Sequence, residues 1–329
     1  MSRRSSEREQ LPLFRALPGE DMALRDAQDL MAYPFFSLAK SRRTVPIRFE
    51  AGGISLTVEG VPEHGIATIW DADVLIWAAS QIVQARDEGR PTSRLMAATP
   101  YEILRFAQRG TGQTEYLALR ASLDRLQSTT VLTSIRQAGK RMHRFSWINE
   151  WQEHVRPDRR SDGIELILPD WFYSGVMDDA LVLTLDPTYF RLTGGIERWL
   201  YRLVRKHGGR QRNGWRFDLR HLYLKSGSLQ RYRDFALHLR GLVLRQSLPG
   251  YRLAIEWSGR TEWLAFWPDA DASRQPDLST DDVEEPVDGV WTDSGDHRRG
   301  SREITGTAIG KSPAQNLAQA AASNGLGLP

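Results

Sequence analysis

A chain of 329 residues, 40% hydrophobic and 26% charged, is long enough for two domains with cores of their own. It has no cysteine, which excludes a disulfide framework and thiolate metal sites. No apolar run approaches the roughly 18 residues that span a bilayer, and no secretory segment is found, so a soluble cytoplasmic protein without membrane partners is expected.

The net charge of +3 hides an asymmetry: residues 269–329 carry 11 acidic and 5 basic residues, a net of −6, whereas residues 1–268 carry 39 basic and 30 acidic, a net of +9. A basic body attracts a polyanion by releasing its counterions, and an acidic tail competes for the same surface.

In chain order, residues 1–30 are polar and broken by Pro12 and Pro18, which predicts a disordered arm. Residues 45–49 and 54–58 have strand character around Ala51-Gly52-Gly53. A helix is expected over 73–86. Thr99 then caps a short helix from Pro100 to Gln108, and a Gly110-Thr111-Gly112 break leads into a second helix over 114–127. Strands over 129–136 and 143–153, joined near Gln137 to Lys140, complete an order of helix, turn, helix and hairpin, the order of a winged helix. Residues 31–154 form the expected first domain, and 155–163 (VRPDRRSDG) has the composition of a linker.

The second domain, 164–268, repeats the pattern. Strand-like segments at 164–168 and 181–185 and an amphipathic helix over 196–205 precede a short helix, a Ser226-Gly227-Ser228 break, a basic helix from Ser228 to Gln246 and a hairpin. Ser228 is the expected N-cap. Leu229, Tyr232, Phe235, Ala236, Leu239, Leu242 and Val243 make the apolar stripe; Gln230, Arg231, Asp234, His238 and Arg245 lie opposite, with Arg233 and Arg240 on a flank. Beyond 268 the expectation is an acidic disordered tail with a weak helix over 314–322. The predicted fold class is α+β, two tandem winged helices between a disordered arm and a disordered tail.

Arginine and glutamine can bond two atoms of a base edge, so Ser228, Gln230, Arg231, Arg233, Asp234 and His238 are the candidate base-reading residues. Arg120, Arg125, Arg136, Lys140, Arg141, Arg144, Arg240, Arg245 and Arg260 are the candidate phosphate contacts. The first unit, whose helix presents Thr114, Ala118 and Ala121, is expected to hold backbone and shape while the second reads bases. Against these stands a plainer reading in which each face is solvated surface.

Enzyme chemistry finds little support. Gly306 to Ser312 imitates a phosphate loop but is one residue short and lacks a preceding apolar strand. The histidines show no metal-ligand spacing, and Asp71, Asp73, Asp178 and Asp179 read as turn and cap carboxylates. No catalytic, cofactor or metal site is expected. Trp147, Trp151, Trp171 and Trp199 read as core residues.

The segments YPFFSLAK at 33–40, TIWDADVLIWAASQIV at 68–83, SRLMAATPYEILRF at 93–106, LDRLQSTTV at 123–131, HRFSWINEW at 143–151, IELILPDWFYSG at 164–175 and LTGGIERWLYRLVRKHGG at 192–209 resemble the replication initiator protein A family of bacterial plasmids. The resemblance implies tandem winged helices that bind repeated origin sites, iterons, in duplex DNA. It also implies opening of an A·T-rich region, recruitment of a host initiator and the replicative helicase, autorepression, and a monomer–dimer equilibrium. A winged-helix repressor without replication function, or a protein-docking scaffold, are the alternatives.

Overall fold

The computed structural model describes residues 6–18, 22–139, 141–155, 157, 161–209 and 214–269. The expected tail lies outside these residues apart from Asp269, as do residues 19–21 and Lys140.

The first surprise is the arm. Helix α1 (Ser6–Gln10) and strands β1 (Leu13–Arg15) and β2 (Arg25–Ala27) are part of the fold, and α2 (Gln28–Ala32) follows directly. Arg8 reaches Glu150 at 2.8 Å and also pairs with Glu165. Phe14 and Asp26 are buried. The expectation of disorder is therefore corrected for residues 6–18 and 22–30: strands this short are held by distant partners, which local composition does not reveal.

Next come β3 (Ile47–Ala51) and β4 (Ile54–Glu59), then α3 (Ala72–Asp87), whose residues are almost all buried. A helix apolar on every side belongs in a core. Strand β5 (Leu95–Ala98) leads to α4 (Pro100–Phe106), opened by a capping box in which the Thr99 hydroxyl accepts from the Glu102 amide at 3.2 Å and the Glu102 carboxylate accepts from the Thr99 amide at 2.6 Å. Helix α5 (Gln113–Ser128), β6 (Thr130–Thr133), β7 (His143–Ser146), β8 (Glu150–Val155), β9 (Ser161–Ile167) and α6 (Asp170–Met177) complete the first half. The second half runs β10 (Val182–Thr184), α7 (Gly195–Gly208), β11 (Trp215–Asp218), α8 (Leu219–Ser226), α9 (Tyr232–Arg245), β12 (Tyr251–Ser258) and β13 (Thr261–Pro268).

Four sheets organise these strands, in the orders β1-β5-β9-β8, β3-β4-β6-β7, β10-β2 and β11-β13-β12. Two expectations fall here. The predicted strand over 143–153 is two strands, because residues 143–146 pair with β6 whereas 150–155 pair with β9 in another sheet. The predicted linker is a hairpin connection: Val155 stands opposite Ser161, and β9 then lies between β8 and β5.

With that correction a repeat becomes visible. Elements α3, β5, α4, α5, β8 and β9 recur in type and order as α7, β11, α8, α9, β12 and β13, and in both sets the last strand sits between the other two. The pair β6 and β7 is an insertion in the first set, paired through β6 to β4. The fold is α+β, and no described helix is long and apolar enough to cross a membrane.

The core runs through both sets. Trp147, Trp171, Phe35 and Phe145 pack together in the first half of the chain, with Trp171 stacked on Phe145 at 4.7 Å between ring centroids, and Trp199 meets Phe235 in the second half. Buried ion pairs join the halves: Asp73 accepts from Arg198 and Arg109 at 2.8 Å, and Asp26 accepts from Arg202 at 2.7 Å. Asp73 is thus an interior partner rather than the cap expected of it. Burial raises the pKa of both acids, against the pull of their arginines.

Candidate nucleic-acid interface

Helix α8 starts on the Asp218 carboxylate, which accepts from the Arg220 amide at 2.8 Å, and stops at Gly227 in the left-handed region with φ 57°. A Cβ on Gly227 would stand 2.9 Å from Pro34 Cβ and 3.0 Å from Ile47 Cγ2, so the turn is pressed against the first half of the chain. Arg43, itself buried, donates from Nη1 to the Gly227 carbonyl at 2.5 Å. The turn between α8 and α9 is held from outside its own unit.

Helix α9 begins at Tyr232, with extended Arg231 at the N-cap position and no side-chain cap. Ser228 is not the N-cap that was expected. Its hydroxyl accepts from the Gln230 amide at 3.2 Å, a local turn that competes with helix extension. The Gln230 carbonyl in turn accepts from the Tyr223 hydroxyl at 2.7 Å. Phe235, Ala236, Leu239 and Leu242 form the buried face as predicted, but Leu229 is exposed. At the far end Gln246 is left-handed, and its side chain donates to the carbonyls of Val243 and Leu253 and accepts from the Leu253 amide, tying α9 to β12.

The base-reading candidates separate into two groups. Gln230, Arg231, Arg233 and Asp234 are exposed around the start of α9, while Ser228 and His238 are half-buried. Burial and the nearby Arg245 charge lower the His238 pKa, which favours the neutral ring.

The phosphate-contact candidates divide more sharply. Arg245, Arg260, Arg141 and Arg144 are exposed, and Arg260 sits in the turn of the β12–β13 hairpin beside exposed Trp257. Arg240 makes two hydrogen bonds of 2.6 Å to the buried Glu262. Arg125 makes two of 2.7 Å to the buried Asp71, which raise its pKa, and Arg120 pairs with Glu153. Arg136 lies 3.0 Å from Asp29 and 3.7 Å over the Trp171 ring, and burial lowers its pKa. Arg120, Arg125, Arg136 and Arg240 are thus tied into the fold and are not a row of waiting cations. Lys140 lies outside the described residues.

Sequence reasoning missed one feature of this face. Leu237 and Leu244 on α9 are 65% and 86% exposed. They stand outside the apolar stripe at helical spacing, which was the available signal. The basic run Arg156, Arg159 and Arg160, whose composition suggests a linker, falls between β8 and β9 and lies outside the described residues. Among the described residues no cluster of three or more His, Asp or Glu is placed to hold a metal ion.

The family profile described as "Replication initiator protein A" matches residues 25–253. A "Putative replication protein" of Wigglesworthia glossinidia brevipalpis is 29% identical over 228 residues, covering 68% of this chain and 82% of that protein. The fold is similar to a crystal structure of domains 2 and 3 of RctB, with a TM-score of 0.55 and 16% identity over 73% of this chain and 97% of that one. With a profile matching most of its length, the chain belongs to the replication initiator protein A family.

Proposed function

We propose that the chain initiates plasmid replication by binding repeated duplex sites at the origin, its two repeated units acting as winged helices. The observation that carries this is the repeat itself: the same six elements, with the same sheet order, occur twice in a chain of an initiator family. In this reading α9 enters a major groove with Gln230, Arg231, Arg233 and Asp234 nearest the bases. Arg245, Arg260, Arg141 and Arg144 hold phosphates. The first unit reads shape and backbone through exposed Arg141 and Arg144, since Arg120 and Arg125 on α5 are already engaged with Glu153 and Asp71.

Origin binding then leads to opening of adjacent A·T-rich DNA and recruitment of a host initiator and the replicative helicase. Repression of its own promoter and exchange between monomer and dimer set the copy number. The chain does this in the cytoplasm, with no cofactor and no catalytic group of its own.

The test has two arms. Duplexes tiling the DNA beside the gene are titrated with the full chain across a salt series, and a plasmid bearing that DNA without the gene is asked to replicate with the chain supplied in trans. Tight, sequence-dependent binding together with replication is expected. Binding without replication reduces the protein to a repressor, and no binding removes the DNA role.

A further inference from the structure

The outward face of α9 is not uniformly polar. At about 100° per residue, the side opposite buried Phe235, Leu239 and Leu242 carries Arg233, Leu237, Gly241 and Leu244. Leu237 is 65% exposed and Leu244 86%. Leucines so exposed add little to the fold, and an apolar group brought against them would be stabilised by burial. Arg233 and Arg245, both exposed, flank the strip with positive charge. A cationic rim around an apolar strip on a helix of this placement fits duplex DNA, where phosphates border a groove containing one apolar group, the C5 methyl of thymine.

We propose that Leu237 is a specificity-determining residue that packs on a thymine methyl in the major groove. The inference rests on the reading of α9 as the groove-entering helix. Leu237 is four residues beyond Arg233, about 6 Å along the axis, so its thymine lies one or two base steps from the base met by Arg233. Gly241, one turn further, carries no side chain, and the Arg245 guanidinium lies over it, 3.2 Å from where a Cβ would stand. Leu244 stands about 10 Å beyond Leu237 along the axis, past the turns that reach bases in such helices.

The full chain is used to select a duplex from a random-sequence pool. In that duplex each thymine is replaced in turn by deoxyuridine, which removes the methyl and nothing else, and affinity is read by fluorescence anisotropy. Loss of the methyl at one position is expected to weaken binding of the unaltered chain about fourfold, the effect of burying one such group. Leu237→Ala weakens binding to the thymine duplex by a similar factor and no longer distinguishes the two bases, whereas Leu244→Ala still does. The proposal is overturned if the unaltered chain is indifferent at every thymine, or if Leu237→Ala keeps the full discrimination. Failure to enrich any duplex overturns the reading of α9 itself, which separates the two.

Discussion

Arginines that look alike in the sequence do different work in the fold, and single substitutions separate them. Arg125 holds the carboxylate of Asp71, which is 1% exposed. Removing the arginine leaves a buried charge uncompensated, a loss on the order of 3–5 kcal/mol. Arg125→Ala is therefore expected to lower stability by about that much in urea unfolding. Arg141 is exposed on the segment leading to β7. Arg141→Ala should leave stability alone and reduce the salt slope of DNA binding by about one phosphate equivalent. At Arg231 the expected loss is about 1–3 kcal/mol on the specific duplex, with relaxed choice at one base position. An equal loss on every sequence would show a phosphate contact there instead.

His238 adds a pH dependence of definite sign. Its pKa is held below the usual 6.5 by burial and by Arg245, with Glu197 pulling the other way. The unfolded chain therefore binds more protons than the folded one between that lowered value and 6.5, so stability rises with pH through this window. Unfolding midpoints measured at pH 7.5 and 5.5 should fall further on acidification for the unaltered chain than for His238→Gln. Equal shifts would mean that the ring is not desolvated.

At the scale of elements, helices with their own period or cap were legible, whereas α1, α2, α6 and the short strands were not. Period and caps predicted α3, α4, α5, α7 and α9, since each carries its own pattern; Thr99 and Glu102 even close the first turn of α4 as a pair. The start of α9 was misplaced because a serine hydroxyl satisfies a local turn as readily as a helix end. Strands β1 and β2 carry no such signal. Leu13 pairs with Leu95, and Ala27 with Val182, so their reason for being strands lies far along the chain. Exposure at the start of α9 was legible from its period, whereas the pairing of Arg125, Arg120 and Arg240 with Asp71, Glu153 and Glu262 depends on contacts that no local pattern encodes.

Gly227 tests how the α8–α9 turn is built. Its left-handed backbone and the crowding by Pro34 and Ile47 both oppose a side chain. Gly259, in the β12–β13 turn, is also left-handed with φ 59° but has open space around it. Strain of this kind costs about 1–3 kcal/mol. Gly227→Ala should thus destabilise more than Gly259→Ala, and only the former should also weaken specific DNA binding, by shifting the start of α9. Equal losses in urea unfolding would mean that Pro34 and Ile47 yield to the added methyl and do not fix the turn.

For the whole molecule, the decisive strand is β9. It begins within the segment expected to separate two domains and runs into the second, yet it pairs with β5 and β8 of the first. Asp73 on α3 meets Arg198 on α7, and Asp26 on β2 meets Arg202, so the buried charges also cross the expected boundary. A chain divided at 155–163 opens one edge of β5, leaves β8 without a partner, and strands Asp26 and Asp73 without their α7 partners. The intact chain should then unfold in a single urea transition, with tryptophan fluorescence and far-ultraviolet circular dichroism giving coincident curves. A fragment of residues 1–154 should show no cooperative transition. Two separated transitions in the intact chain, or a stable 1–154 fragment, would restore independent domains. A single transition makes the distance between the two units proposed to bind DNA a property of the core, so that inserting half a helical turn, about 5 base pairs, between their contacts should cost far more affinity than inserting a whole turn.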